Sequence, residues 1–170
     1  MSDSIFYRLD LTKEQKQQRY EYFSNLIYKI APRMFHTTLD YFDIEPKRGL
    51  KIFISDKKNR CRGGRDRYGD FNIRMYIGHH INYLILPHVE YARIQNKPDI
   101  GALGNVSAKL DLKTITAHEV AHAVQYYMYF NYYNHKRQID ELPFTMRELK
   151  KPHGKGWQHI YSRIRKVYIN

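Results

Sequence analysis

An α+β fold, in which a small mixed or antiparallel sheet packs against helices, is what this sequence predicts, on three observations. Apolar residues recur at helical spacing over residues 12–31 and again from residue 114, and between these stretches they alternate at strand spacing. Stretches bearing Gly and Pro separate the segments. Hydrophobic residues make up 42% of the 170 and aromatic residues 15%. That is enough to bury one core, so residues 1–170 read as a single domain.

The elements follow in order. Thr12-Lys-Glu-Gln15 has the form of a capping box, and Tyr20, Phe23, Ile27 and Ile30 then share a helix face, so the spacing predicts an amphipathic helix over 12–31 that ends before Pro32. Leu39 to Asp43 reads as a strand-prone or connecting piece, and Leu50 to Ser55 as a strand. The glycine- and arginine-rich run from Arg60 to Asp70 reads as a loop or hairpin tip. Phe71 to Ile77 alternates like a strand whose polar face carries Asn72 and Arg74 beside Tyr76, and an exposed edge there is expected to take a peptide in extended form. His79-His80 with Ile81 to Leu86 suggests a further strand. His88 to Ile94 is strand or short helix, and 96–105 is loop. Adjacent residues of a strand face opposite ways, so the His79-His80 pair reads as structural or solvent-facing. His36, His88, His135 and His159 read the same way.

His118-Glu119-Val120-Ala121-His122 carries the chemistry. Residues four apart lie on one helix face, so the two imidazoles can hold one metal ion, and Glu119 is placed to take a proton from a water that the metal activates. Thr114 to Met128 contains no Gly or Pro, which fits a helix with Asp111 or Thr114 as N-cap and the His pair within its first three turns. Catalytic zinc usually takes three protein ligands. The downstream candidates are His135, Glu141, Glu148, His153 and His159. Met128 stands where a metzincin would have its third His, while a Glu ligand of the gluzincin kind keeps Glu141 and Glu148 open. His153 has the most suitable setting. Pro152 and Gly154 frame a turn around it, and a helix with Trp157, Ile160, Ile164 and Val167 on one face follows directly.

His118 to His122 together with His153-Gly154-Lys155-Gly156-Trp157 resembles the SprT-like family of zinc metalloproteases, which includes the Spartan-type proteases that digest proteins crosslinked to DNA. Cys61-Arg62-Gly63-Gly64 ahead of the Phe71–Ile77 strand is a weaker echo of a glycine-bearing stretch beside the family's active-site cleft. The resemblance implies a zincin-like metalloprotease fold, Zn²⁺ as cofactor, His118, His122 and His153 as ligands and Glu119 as the catalytic acid/base. It spans roughly residues 15–168. Between the two motifs lies an aromatic-rich run, Tyr126 to Tyr133, followed by a polar connector containing Pro143. The chain has one Cys and so lacks the zinc ribbon that many family members carry. Its size suits a minimal, phage-encoded member.

A formal net charge of +12 is concentrated in two segments. Lys47 to Arg74 holds ten basic and three acidic residues, and Arg147 to Asn170 seven and one; the remainder sums to −1. Such a surface attracts a phosphate backbone without reading its sequence. Arg60, Arg62, Arg65, Arg67, Lys150, Lys151 and Lys155 are the candidate DNA contacts, and Asn72 and Arg74 the candidate substrate-cleft residues. Tyr126, Tyr127, Tyr129, Tyr132 and Tyr133 are expected mainly in the core, with one or two at the cleft. Cys61 alone makes no intramolecular disulfide and reads as a small half-buried side chain. No apolar run reaches a membrane span, and the first residues lack a signal-peptide layout. A cytoplasmic, nucleoid-associated, monomeric enzyme is therefore expected. It would be a zinc-dependent endopeptidase acting on proteins bound or crosslinked to DNA. The rival readings are a gluzincin-type peptidase unrelated to DNA and a non-catalytic DNA-binding protein with a structural zinc site.

Overall fold

Thr12 opens the first helix as its side chain predicts: its hydroxyl accepts from the Gln15 backbone N–H at 3.2 Å, and the Gln15 side chain accepts from the Thr12 N–H at 2.9 Å. The computed structural model describes residues 7–132 and 142–169. Helix α1 spans Lys13–Tyr41 and runs straight through Pro32, so the expected end before that residue and the strand-prone reading of Leu39–Asp43 are both corrected. An internal proline costs roughly 3 kcal/mol. Met34, Phe35 and Leu39, all fully buried beyond it, are each worth about 1.5–3 kcal/mol. Burial of the continuing face outweighs the missing hydrogen bond.

Three strands follow, β1 (Lys51–Ser55), β2 (Arg62–Arg65) and β3 (Phe71–Tyr76), in the order β1-β3-β2. The β1 strand runs parallel to β3, pairing Lys51 with Asn72 through Ser55 with Tyr76. The β2 strand is antiparallel to β3, pairing Arg62 with Arg74 through Arg65 with Phe71. Strand β3 is thus central, and the exposed edge expected at Asn72 and Arg74 belongs instead to β2. The Arg60–Asp70 run is a hairpin arm, with β2 as its first strand. Ile73 and Met75 are buried on the inner face of the sheet.

His79 and His80 lie in a short helix, α2 (Gly78–Asn82), not in the strand expected there. The Arg19 guanidinium of α1 donates to the carbonyls of Ile81, His80 and Tyr83 at 2.7–3.0 Å. It thereby satisfies acceptors left open where that helix ends. Strand β4 (Ile85–His88) pairs antiparallel with β5 (Gly104–Ser107), and turns and loop fill the interval between them.

Helix α3 (Ala108–Tyr132) leaves β5 directly. The Ser107 hydroxyl accepts from the Leu110 N–H at 3.2 Å, so the cap lies upstream of the expected Asp111 or Thr114, and the His pair sits in mid-helix. The α3 helix is the core's axis: Ala117, Val120, Ala121, Ala123 and Val124 are all fully buried, small enough to let neighbours approach closely. Helices α4 (Met146–Lys150) and α5 (Lys155–Tyr168) complete the fold. Trp157, Ile160 and Ile164 face inward as expected, whereas Val167 is about half exposed, because Tyr161, Arg165 and Tyr168 take the inward side at the end of α5. Among the described residues no helix is long and apolar enough to cross a membrane.

Candidate metal centre

His118 and His122 project from one face of α3, and His153 meets them from the turn before α5. His153 takes φ = 55°, a left-handed backbone unusual for a residue with a side chain. Strain of this kind persists where the surroundings fix the residue. The Gly154 N–H donates to the Lys151 carbonyl, and the Gln158 side chain donates to the His153 carbonyl, both at 2.9 Å. Nε2 of His153 lies 3.0 Å from that of His118 and 2.9 Å from that of His122. One ring nitrogen from each of the three lies within 4.8 Å of the others. The buried ring of Trp157 packs against all three imidazoles, with centroids 4.6–5.2 Å away, and Tyr91 covers His153 at 4.0 Å.

The donor set fits a metal ion. Ligation requires neutral rings, and burial, reinforced by the neighbouring imidazoles, pushes His122 down to about 3. Burial, with His118 and Arg93 adding to it, takes His153 down to about 4. The tautomers agree. The Gln125 amide nitrogen donates to the Leu149 and Lys151 carbonyls at 2.5 and 2.9 Å. Carbonyls only accept, so the amide oxygen of Gln125 must be the atom 3.2 Å from His122 Nδ1. That places a proton on Nδ1 and leaves Nε2 its lone pair. His118 is held likewise, with its Nδ1 3.2 Å from Glu90 Oε2. A His118, His122 and His153 group that could hold a metal ion is therefore built into the fold.

Glu90 begins a buried chain that sequence reasoning missed. Its other carboxylate oxygen accepts from the Tyr161 hydroxyl at 2.7 Å and faces His88 Nε2 at 3.4 Å. Nδ1 of His88 lies 3.0 Å from one oxygen of Asp111, and Nε2 of His80 lies 2.8 Å from the other. Burial alone would raise both carboxyls. The neighbouring His118 and His88 rings and the Tyr161 hydroxyl instead hold Glu90 at about 2, and the bonds from His80 and His88 lower Asp111. Burial works against a charged His88, but its two carboxylate neighbours prevail and raise it. His80 and His88 are thus structural, as expected. The available sequence signal was Asp111 itself, two helical turns before His118 on α3; nothing local marked Glu90.

Glu119 is buried at 8% exposure. Burial pushes its carboxyl up, opposed by His118, by the Gly63 backbone N–H and by Arg60. Strand β2 crosses α3 here so closely that a Cβ on Gly63 would sit 1.9 Å from the Glu119 carbonyl oxygen. A cleft of about 560 Å³ opens beside His118 and Glu119, walled by Leu86, Pro87, Tyr91 and Ile115 and bounded by Arg60.

The remaining expected site residues divide. Arg60, Arg62, Arg65 and Arg67 are exposed along β2 and its turn. Lys150, Lys151 and Lys155 are exposed around the His153 turn, and Lys155 pairs with Glu148 at 3.4 Å. Arg74 is exposed on the sheet face, whereas Asn72 is buried at 7% and bonds the Asp70 carbonyl. Asn72 nonetheless borders, with Arg74, a cleft of about 610 Å³ on this face of the sheet. Glu148 closes a capping box with Thr145 at the start of α4, and the group that could hold a metal ion has His153, not Glu148, as its third member. His135 and Glu141 lie outside the described residues. His159 packs beside Phe42 and Phe144. The Cys61 thiol is half-buried and pushed up to about 12 by burial. Tyr127 is core, its hydroxyl accepting from the Lys47 N–H at 2.8 Å, and Tyr126 lies over Gly64. Comparison with family models, with curated proteins and with solved structures gives no match.

Proposed function

We propose that this chain is a zinc-dependent endopeptidase of the SprT-like kind on a zincin-like scaffold, acting on proteins bound or crosslinked to DNA. The observation that carries the reading is the convergence of His118, His122 and His153, with His118 and the adjoining Glu119 lining a cleft. Zinc, when bound, supplies Lewis acidity and lowers the pKa of a water molecule. The chain supplies the rest. Glu119, whose burial favours its protonated form, accepts the proton of the attacking water and returns it to the departing amine. Glu90 and Gln125 hold the imidazoles in the ligating tautomer. The apolar walls of the cleft receive a substrate side chain.

The DNA limb rests on charge. The basic segment around the His153 turn sets the exposed Lys150 and Lys151 next to the imidazole cluster. Fields of one sign around a cleft raise the local concentration of a polyanion.

Cleavage of a protein substrate by zinc-loaded enzyme, with and without single-stranded DNA, tests the whole. DNA-stimulated turnover is expected. Turnover indifferent to DNA would remove the DNA limb, and tight DNA binding with no turnover would leave a structural zinc protein.

A further inference from the structure

Strand β2 ends the sheet, and its residues do more than close it. Arg62 stands directly opposite Arg74 in the β2–β3 register. Like charges in that position repel, yet neither guanidinium has an ion-pair partner among the described residues. Arg60 joins them in lining a cleft of about 610 Å³ on this face, where the acidic residue is Asp66. Arg60 also borders the cleft that holds His118 and Glu119, so the cationic face runs into the candidate metal centre. A Cβ on Gly63 would lie 1.9 Å from the Glu119 carbonyl oxygen, so β2 runs beside the Glu119 turn of α3.

We infer that Arg60, Arg62 and Arg74 select an acidic side chain of a peptide laid along β2, so that the substrate class is polypeptide carrying Asp or Glu near the scissile bond. This rests on the endopeptidase reading and narrows it. An added strand exposes alternate side chains to the face it extends, and guanidinium groups bind carboxylates through paired, planar hydrogen bonds. A nucleic-acid strand fits the face less well. Two neighbouring rings are engaged by the guanidiniums themselves: Phe53 lies against Arg74 and Tyr91 against Arg60, each 5.0 Å from the guanidinium carbon. A nucleic-acid strand would find one ring lining that cleft, Tyr76, whereas binding along a strand uses successive rings.

The test measures fluorescence anisotropy of the full zinc-loaded chain carrying Glu119→Gln, with a labelled Glu-containing decapeptide, its Gln counterpart and oligothymidylate. The acidic peptide should bind about tenfold tighter than the Gln peptide. The double variant Arg62→Gln/Arg74→Gln should abolish that preference while zinc content and Gln-peptide binding hold. Arg62→Lys/Arg74→Lys should restore part of it. Equal binding of the two peptides would overturn the inference. So would loss of oligothymidylate binding in the Gln double variant with the acidic preference intact. Turnover of the unmodified chain separates the two levels: acidic preference without any cleavage sinks the endopeptidase reading alone, and cleavage without acidic preference sinks this inference alone.

Discussion

Glu90 Oε2 lies 3.2 Å from His118 Nδ1, so a carboxylate just beyond β4 orients an imidazole in the middle of α3. Partners of this kind fix the ring, select its tautomer and raise its basicity. Glu90 is in turn held by Tyr161 and faces His88, and the chain continues to Asp111 and His80. Five ionisable side chains are buried to present one ligand nitrogen.

Replacing Glu90 should therefore weaken metal binding before it unfolds the chain. Glu90→Gln keeps an acceptor but loses the charge, and zinc affinity should fall by about 10–100-fold, read by competition with a chromogenic chelator. Unchanged affinity would show that His118 needs no such partner.

Glu119→Gln should leave zinc stoichiometry intact and lower turnover by about 10²–10⁴-fold. Metal analysis and a peptidase assay on one preparation check both halves. Equal turnover would remove Glu119 as the base.

The metal-free chain should be most stable near neutral pH. His122 and His153 sit at about 3 and about 4, below the ordinary 6.5. The unfolded chain thus binds more protons between these limits, and stability present above 6.5 is lost as pH falls through the folded values. Glu90, at about 2 instead of 4.5, adds a loss in the same direction at lower pH. His88 is raised, so its contribution is complete below 6.5 and disappears as pH climbs through its folded value. Urea midpoints of chelator-treated protein, measured from about pH 4 to about pH 9, should trace a maximum. A midpoint constant below pH 6.5 would contradict the neutral state of the two imidazoles.

Gly63→Ala should push β2 off α3, because its Cβ would overlap the Glu119 carbonyl oxygen. Overpacking of this kind costs about 1–3 kcal/mol, and turnover should fall with it. Gly49→Ala, where a Cβ meets nothing within 4 Å, is the control. Equal melting temperatures for the two variants would show that β2 yields freely.

The site was more legible than the fold around it. Two imidazoles four apart on a Gly-free helix declare a shared face, and Pro152 and Gly154 declare a turn at His153. What escaped depended on partners distant in sequence. Pro32 stops a helix locally, but Met34, Phe35 and Leu39 bury against the rest of the molecule and carry α1 onward. The Phe71–Ile77 alternation signals a strand, yet cannot say that β1 and β2 will flank it on both sides. His79-His80 looked like strand because their neighbours are apolar, while the Arg19 guanidinium that closes α2 sits on another element. Glu90 carries no local signature, since its role comes from meeting α3 and α5 across the core.

Gln125 touches the His122 ring with one end of its amide and clasps the carbonyls of Leu149 and Lys151 with the other. The third imidazole is thus registered by a clamp from α3 itself. The stretch of chain joining the two motifs need not set that distance, so its length is free to vary. Grafting a shorter or longer connector there would change the outline of the molecule and leave the imidazole cluster in place.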